Sequence, residues 1–417
     1  MFDIYDMNFE SSDQTMPAGP YIPEAGECLR CGLCVSVCPT FKLFETDAET
    51  PRRRIRTISK LLVENEPVSQ DELDHLDNCL QCRACETICP SRMAYGDLFD
   101  ATLAQLQPER PKNRLTELAF WLIAHKRARN LLIPFLSLYL KSGLQELCRR
   151  SGLLGRLNLS VADSLLNMPA LADLSRVYPV RGRRPRGRVG LFTGCLAEHF
   201  DRDTHLAAIK CLNAIGYEVV IPERQSCCGA MHQHNGRSAQ ALADNNIATF
   251  YALEVDAVIH TATGCGATLQ AYRSEDEEKS GWFRRYVWDI NAFLLAHWPQ
   301  ELRLAASNLK VAVHEPCSQR NVLKNSQVVF ELLGKIPGLK VFPLADNSIC
   351  CGAGGSYMLT HPQNAEQLKS RKQLVIRSSE ADLVVSSNFG CAYYLNADAT
   401  DTSLRMLHPI QLLADRL

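Results

Sequence analysis

Two short stretches hold most of the chemistry this sequence could perform. CLRCGLCVSVCP (28–39) and CLQCRACETICP (79–90) each place four cysteines at C-x2-C-x2-C-x3-C spacing and close on a proline. They stand in a chain of 417 residues with 18 cysteines, so ten more lie outside them. Thiolates are soft donors, suited to zinc, copper and iron–sulfur clusters. The other common use of many cysteines, stapling a small secreted domain, is not needed where a chain can bury a sizeable core. The opening MFDIYDMNFESSDQTM is acidic and has no basic segment leading into an apolar one. The expectation is a reducing, cytoplasmic setting in which clustered cysteines bind metal.

A cubane [4Fe–4S] cluster takes four thiolates, and the C-x2-C-x2-C-x3-C-P run of two-cluster ferredoxins supplies three of them from one loop while its fourth cysteine ligates the other cluster. On that rule Cys28, Cys31, Cys34 and Cys89 hold the first cluster, and Cys79, Cys82, Cys85 and Cys38 hold the second. Pro39 and Pro90 turn the chain away, and Gly32 and Ala84 leave room where backbone must approach sulfide. Zinc is the alternative, but a four-cysteine zinc site pairs two C-x2-C units and has no use for the further cysteines and proline found here. Two adjacent clusters without a visible substrate site imply one-electron transfer.

A second constellation is the doubled cysteine in QSCCGA (225–230) and SICCGA (348–353). Cys195, Cys227, Cys228 and Cys265 form one four-thiolate set, and Cys317, Cys350, Cys351 and Cys391 form another. Adjacent cysteines fit poorly as filler on one apolar face, so their recurrence favours a metal or an additional iron–sulfur cluster over packing. Gly229, Gly264, Gly352 and Gly390 permit close backbone approach. Cys148 and Cys211 read as packing residues. His199, His232, His234 and His314 read as core or solvated histidines that merely surround thiolates. No catalytic residue can be assigned, because there is no Ser/His/Asp signature, phosphate loop or dinucleotide fingerprint.

The elements that must position these cysteines follow from pattern. VGLFTGC (189–195) and VAVHEPC (311–317) are short apolar runs ending in cysteine, and AVIHTATGCG (257–266) and LVVSSNFGC (383–391) close each copy in the same way. The corresponding cysteines 195 and 317, 228 and 351, and 265 and 391 stand 122, 123 and 126 positions apart, which identifies an internal duplication. Between these runs lie helical patterns such as SAQALADNNIATFYALE (238–254) and NAEQLKSRKQLVIRSS (364–379). The alternation predicts an α/β unit with a largely parallel sheet and ligands at the strand ends. The predicted fold class is therefore mixed α+β and α/β. It comprises a flexible arm over 1–26, a helical two-cluster ferredoxin-type domain over 27–100, a helical connector over 101–188, and a duplicated α/β pair over 189–308 and 309–417.

Composition excludes several classes. A net charge of −1 gives no electrostatic case for nucleic acid, and RGRRPRGR (181–188), which lacks interleaved aromatics, reads as a solvated boundary. No run reaches the eighteen or so apolar residues of a membrane span. LLIPFLSLYL (131–140), broken by Pro134 and flanked by AHKRARN and a lysine, reads as a helix packed on the protein. The competing reading is a basic-flanked surface, within 114–143, resting on a membrane.

Taken together, the cages, the connector and the paired CCG domains resemble the iron–sulfur subunits of bacterial glycolate oxidase (glycolate dehydrogenase) from about residue 27 onward. The resemblance rests on TPRRRI (50–55), DNCLQCRACETICPS (77–91), GC (194–195), CCGA (227–230), TGCGA (263–267), HEPC (314–317) and MLTHP (358–362). It implies an electron-transfer subunit, inactive on substrate alone. Such a subunit takes electrons from a flavin-containing catalytic partner that oxidises glycolate to glyoxylate and passes them to quinone or another membrane acceptor, from a peripheral position on the inner face of the membrane. Iron–sulfur subunits of anaerobic glycerol-3-phosphate dehydrogenase or of a lactate-oxidising complex are the alternative, and a redox sensor or zinc scaffold is a remote one. Two departures stand out: Arg53 replaces the family's usual glycine, and Thr268 and Tyr394 occupy the positions where the fullest CCG domains end in C-x-x-C. Each copy thus lacks a fifth thiolate, so a conventional cluster on four cysteines, or none, is expected there.

Overall fold

The cysteine cages are built from helices too short to be stable alone, and prolines start two of them. The computed structural model describes residues 31–110, 113–157, 159–171, 174–182, 184–397 and 405–417; the arm expected over 1–26 and the ligand candidate Cys28 lie outside these. Cys38 is the extended residue before helix Pro39–Phe44, and Thr50 precedes helix Pro51–Ser59, with proline in the first turn where its missing N–H costs nothing. Ser69 and Glu72 form a reciprocal capping box on helix Gln70–Asp77. The residue after each motif's second cysteine is left-handed: Gly32 at φ 65° and Arg83 at φ 55°. Glycine adopts this freely, whereas Arg83 is held by Asp100 at 3.6 Å and Asp97 at 3.9 Å. Ile58, Leu76, Leu98, Phe99 and Leu103 bury the domain's core. Arg53 lies on an exposed helical face and pairs with Asp47 at 2.7 Å, so replacing the usual glycine there meets no obstacle.

The connector is helical, with Arg114–Ala124, Lys126–Lys141, Leu144–Arg150, Leu153–Arg156 and Ser160–Ser164 following one another. No described helix is long and apolar enough to cross a membrane.

Beyond it stand two sheets. The first contains β1 (Val177–Tyr178), β2 (Gly187–Phe192), β3 (Tyr217–Val220), β4 (Ala257–His260) and β5 (Val287–Asp289), in the order β1-β3-β2-β4-β5. The second contains β6 (Lys310–His314), β7 (Lys340–Pro343), β8 (Leu383–Ser386) and β9 (Met406–Leu407), in the order β7-β6-β8-β9. Apart from antiparallel β1, all pairings are parallel, and β3-β2-β4-β5 matches β7-β6-β8-β9 strand for strand. Register repeats too: Val189 pairs with Ala257 as Val311 pairs with Leu383. Because β1 caps the edge and β2 begins at Gly187, the first sheet draws residues from the stretch expected to be connector. Helices Gln240–Tyr251 and Pro362–Arg377 occupy the two stretches whose periodicity predicts them. Helices Arg202–Ala214, Ile290–Ala296, Gln327–Leu333 and Pro409–Ala414 lie between the sheets, and Leu212, Phe293, Leu332 and Leu413 join strand residues of both copies in one continuous core. The two copies are thereby fixed to each other.

Candidate metal centres

Cys31, Cys34 and Cys89 line one cavity of about 510 Å³, and Cys85 of the other expected set borders it too. Burial pushes the Cys34 thiol up, and the neighbouring thiols of Cys31, Cys38 and Cys89 add to that. Cys89 comes from the second motif, so the structure brings it to the first motif's cysteines. Cys38 makes the reciprocal move. Its buried sulfur lies 3.2 Å from Thr40 Oγ1 and accepts from Arg54 Nη1 at 3.7 Å. Desolvation raises Cys79, Cys82 and Cys85, and the Cys38 thiol acts on all three. Cys79 Sγ receives the Gln81 N–H and lies near Tyr95 OH, both at 3.5 Å. Arg54 is itself fully buried and ion-paired with Glu49, whose carboxylate also meets His75 Nδ1 and Asn78 Nδ2 at 2.7 Å.

In each α/β copy the first and third cysteine positions follow the first and third parallel strands, and the doubled cysteine follows the second. Open parallel sheets place ligands at this end, where the strand order reverses. In the first copy the contact with Cys227, together with burial, pushes the Cys195 thiol well up, and Cys228 engages Cys265. Gly229, at φ 89°, turns its N–H onto Cys227 Sγ at 3.4 Å. Asn246 Nδ2 donates to the Cys227 carbonyl at 3.0 Å and Tyr272 OH to that of Cys228 at 2.8 Å, which fixes the doubled cysteine from behind. In the second copy Cys351 Sγ and Cys391 Sγ are 2.8 Å apart, Gly352 N–H reaches Cys350 Sγ at 3.4 Å, and Asn388 Nδ2 reaches Cys391 Sγ at 3.3 Å. Burial, with Cys350 alongside, pushes Cys317 up to about 12.

The copies differ in what faces them. A cavity of about 330 Å³ is lined by Cys82, Pro39 and Ala84 from the ferredoxin-type domain and by Cys317, Cys350, Cys351 and Cys391 from the second copy. Asn321 Nδ2 clamps this junction by donating to the Cys82 carbonyl at 2.7 Å, and Leu80 packs into the core that contains Cys350 and Cys351. Two cations border the junction: Arg320, bonded to the Asn347 carbonyl, and buried Lys372, whose Nζ reaches the Asp346 carbonyl at 3.1 Å. Burial lowers Lys372 while the nearby thiols work the other way. The thiols of the first copy lie nearer connector helices Arg114–Ala124 and Lys126–Lys141. Ile123 packs on the same core as Cys195 and Cys265, and buried Arg129 stands near enough for its charge to act on Cys195.

These donor sets suit thiolate-bound clusters. Cysteine sulfur is the recurring donor in them, although Glu86 and Glu315 also line the two cavities, and several sulfurs receive peptide or amide N–H groups of the kind that tune iron–sulfur centres. No group of three or more described His, Cys, Asp or Glu side chains is arranged to hold a metal ion, so the chain supplies donors and their hydrogen bonds and not a closed coordination sphere. The histidines have other partners: His199 bonds Asn130 Oδ1 at 3.1 Å, His232 packs edge-on against Phe120, and His314, which lines the cavity of the second copy, bonds Ser386 Oγ at 3.0 Å. His234 lies 3.9 Å from Asp100, Cys211 is buried in the shared core and Cys148 is half-buried on the connector. Tyr394, at one missing fifth-thiolate position, is buried under Lys369 Nζ at 4.9 Å from its ring. Sequence reasoning missed Arg54, Asn321 and Lys372. Only Arg54 left a signal, since Arg54, Ile55 and Ile58 share the buried face of their helix.

Comparison with known proteins agrees with this arrangement. A 4Fe-4S dicluster domain matches residues 24–93, the linker region of the glycolate oxidase iron–sulfur subunit matches 111–166, and a cysteine-rich (CCG) domain matches twice, at 189–270 and 311–396. A probable glycolate oxidase iron–sulfur subunit of Bacillus subtilis is 31% identical over 414 residues, covering 93% of each chain. The glycolate oxidase iron–sulfur subunit of Escherichia coli is 29% identical, over 94% of this chain and 93% of its own. Lactate utilization protein A of Shouchella clausii is 28% identical over 49% of this chain and 87% of its own.

Proposed function

The chain belongs to the family of glycolate oxidase iron–sulfur subunits, and from that premise we propose that it relays electrons from a flavin-bearing catalytic subunit, which oxidises glycolate to glyoxylate, toward membrane quinone. Cys28, Cys31, Cys34 and Cys89 would hold one [4Fe–4S] cluster, Cys38, Cys79, Cys82 and Cys85 the second, and the two CCG sets a further centre each. Such clusters supply one-electron storage, with potentials set by charge, hydrogen bonds and exposure. The protein residues do the rest. Exposed Cys31 opens the first set to an electron donor, Arg54 places a buried cation beside the second, and Asn321 holds Cys82 against the second CCG set. The first CCG set, against the connector, then lies at the outlet.

The observation that supports this reading most directly is the junction at Cys82, where the two families of thiols share one cavity. A relay needs that continuity, and a zinc scaffold does not. Co-expression with the flavin-bearing partner tests the reading by pull-down and by substrate-dependent dye reduction across glycolate, lactate and glycerol 3-phosphate. The expected result is a complex active on glycolate. Because lactate utilization proteins match half of this chain, a lactate-oxidising complex is the second reading, and preference for lactate in the same screen would select it. Substrate oxidation by the purified chain alone would overturn both.

A further inference from the structure

Helix Lys126–Lys141 is inside out for a packed helix. Its buried positions are Arg129, Ile133 and Ser137, while Leu131, Phe135 and Leu138 are 72%, 68% and 63% exposed. These three recur at i, i+4 and i+7 and form one stripe. Exposed Arg127 and Lys141 bracket the stripe at its two ends. The flanking helices repeat the pattern. Leu115, Leu118 and Trp121 are exposed along Arg114–Ala124, and Leu144 and Leu147 along Leu144–Arg150. Both helices pack against Lys126–Lys141, so the stripes adjoin. A monomer rarely leaves so large an apolar surface uncovered, and such a surface marks an interaction site.

Charge identifies what covers it. Residues 114–157 contain eight Lys or Arg and two Glu, in a chain whose net charge is −1. A surface of leucine with a basic border, and Trp121 at its edge, fits a helix layer lying at the boundary of an anionic bilayer. A protein interface would draw more on aromatic anchors and on charges of both signs, and leucine is under-represented among its energetic anchors. We propose that this connector face seats the protein on an anionic lipid surface through Leu131, Phe135, Leu138 and Leu147, with Arg127 and Lys141 meeting headgroups. The inner side of the same helix carries Arg129 toward Cys195 and joins the first copy through Lys126–Glu198 at 2.6 Å and Asn130–His199 at 3.1 Å. Docking on this face therefore puts the first CCG set one helix layer from lipid, where a quinone outlet is useful. In that respect the inference rests on the relay reading, though lipid binding itself stands on the surface alone.

Full-length, cluster-loaded protein is sedimented with vesicles of equal parts phosphatidylglycerol and phosphatidylcholine, and with pure phosphatidylcholine vesicles. Expected is binding to the anionic vesicles that weakens with salt and is at least tenfold weaker on the neutral ones. Phe135→Gln/Leu138→Gln should weaken binding at least tenfold while visible absorbance and melting temperature stay unchanged, because both positions are exposed. No binding to anionic vesicles overturns the proposal. So does equal binding by the variant, or a variant whose only defect is failure to capture the co-expressed catalytic subunit, which would assign the face to a protein. Reduction of a water-soluble quinone by the unsubstituted complex is measured in parallel: its loss with vesicle binding intact refutes the relay and leaves the lipid surface standing, whereas its retention with no vesicle binding refutes the lipid surface and leaves the relay standing.

Discussion

Arg54 Nη1 lies 3.7 Å from Cys38 Sγ, and the same guanidinium is ion-paired with the buried carboxylate of Glu49. Burial works against the Arg54 charge, but Cys79, Tyr95, Cys38 and Glu49 around it hold it above the usual guanidinium range. A fixed buried cation next to a thiolate ligand favours the form of the site that carries the additional electron. On the first set, the corresponding cavity is bordered by Arg52, which is partly solvent-exposed and committed to Asp47. The two ferredoxin-type sites are thus electrostatically unequal, and the buried one adjoins the second CCG set.

Replacing Arg54 separates tuning from stability. Arg54→Gln should lower the midpoint potential of the second cluster on the order of 60 mV, a tenfold change for a one-electron couple, and leave the first within a fraction of that. It should also cost about 3–5 kcal/mol, because Glu49 is left buried without its cation. Adding Glu49→Gln should recover most of the stability and, by removing the buried anion, only part of the potential. Redox titration followed by electron paramagnetic resonance, together with denaturant melts, checks both; equal shifts in the two clusters would refute a local role.

The reciprocal placement of Cys38 and Cys89 gives a second expectation. Cys38→Ser should damage the cluster held mainly by Cys79, Cys82 and Cys85, and Cys89→Ser the one held by Cys31 and Cys34. Each variant should retain one normal cluster signal. Loss of the cluster of the variant's own loop in both cases would contradict the crossed assignment.

The duplication was legible because strand, glycine and cysteine recur together, and strand-end cysteines such as Cys195 and Cys317 follow from chain order alone. The three-dimensional neighbours of those cysteines were not. Asn321 reaches Cys82 across 239 positions through one hydrogen bond, and nothing local to NVLKN marks it. Of the three arginines in TPRRRI, helical geometry turns only Arg54 inward, beside Ile55 and Ile58. The connector was misleading in the opposite sense: LLIPFLSLYL is apolar enough to predict packing, but exposes Leu131, Phe135 and Leu138. Periodicity reveals a stripe and cannot say which side the rest of the protein takes.

Asp201 offers a pH-dependent measurement away from the thiols. It precedes helix Arg202–Ala214, accepts from Thr204 Oγ1 at 2.6 Å, and is pushed up to about 7 by burial from its usual 3.8. A carboxyl raised on folding contributes stability below its unfolded pKa and loses it as pH rises toward the folded value. Asp201→Asn keeps the accepting oxygen and escapes this loss. Its stability relative to the parent should rise by about 1.4 kcal/mol per pH unit at most up to pH 7, then level off. Anaerobic melts at pH 5.5, 6.5, 7.5 and 8.5 follow the difference; parallel curves for the two proteins would show that Asp201 titrates normally.

The two CCG sets should fail differently when cut. The second shares a cavity with Cys82, and the first lies beside Ile123 and Arg129 of the connector. If electrons cross in that order, Cys351→Ser should leave both ferredoxin-type clusters reducible by the catalytic partner but prevent electrons from reaching the first CCG set. Cys228→Ser should let the second CCG set fill and still block quinone reduction. Each variant should also lose iron and melt earlier, since metal binding contributes to folding. A packing role predicts otherwise, because serine nearly matches cysteine in size and the hydrogen bonds of Asn246 and Tyr272 run to backbone carbonyls that the substitution leaves in place. Iron per chain, melting temperature and stopped-flow reduction on the same preparations distinguish the cases. Unchanged iron with intact quinone reduction in both variants would remove the CCG sets from the path and end it at the second ferredoxin-type cluster.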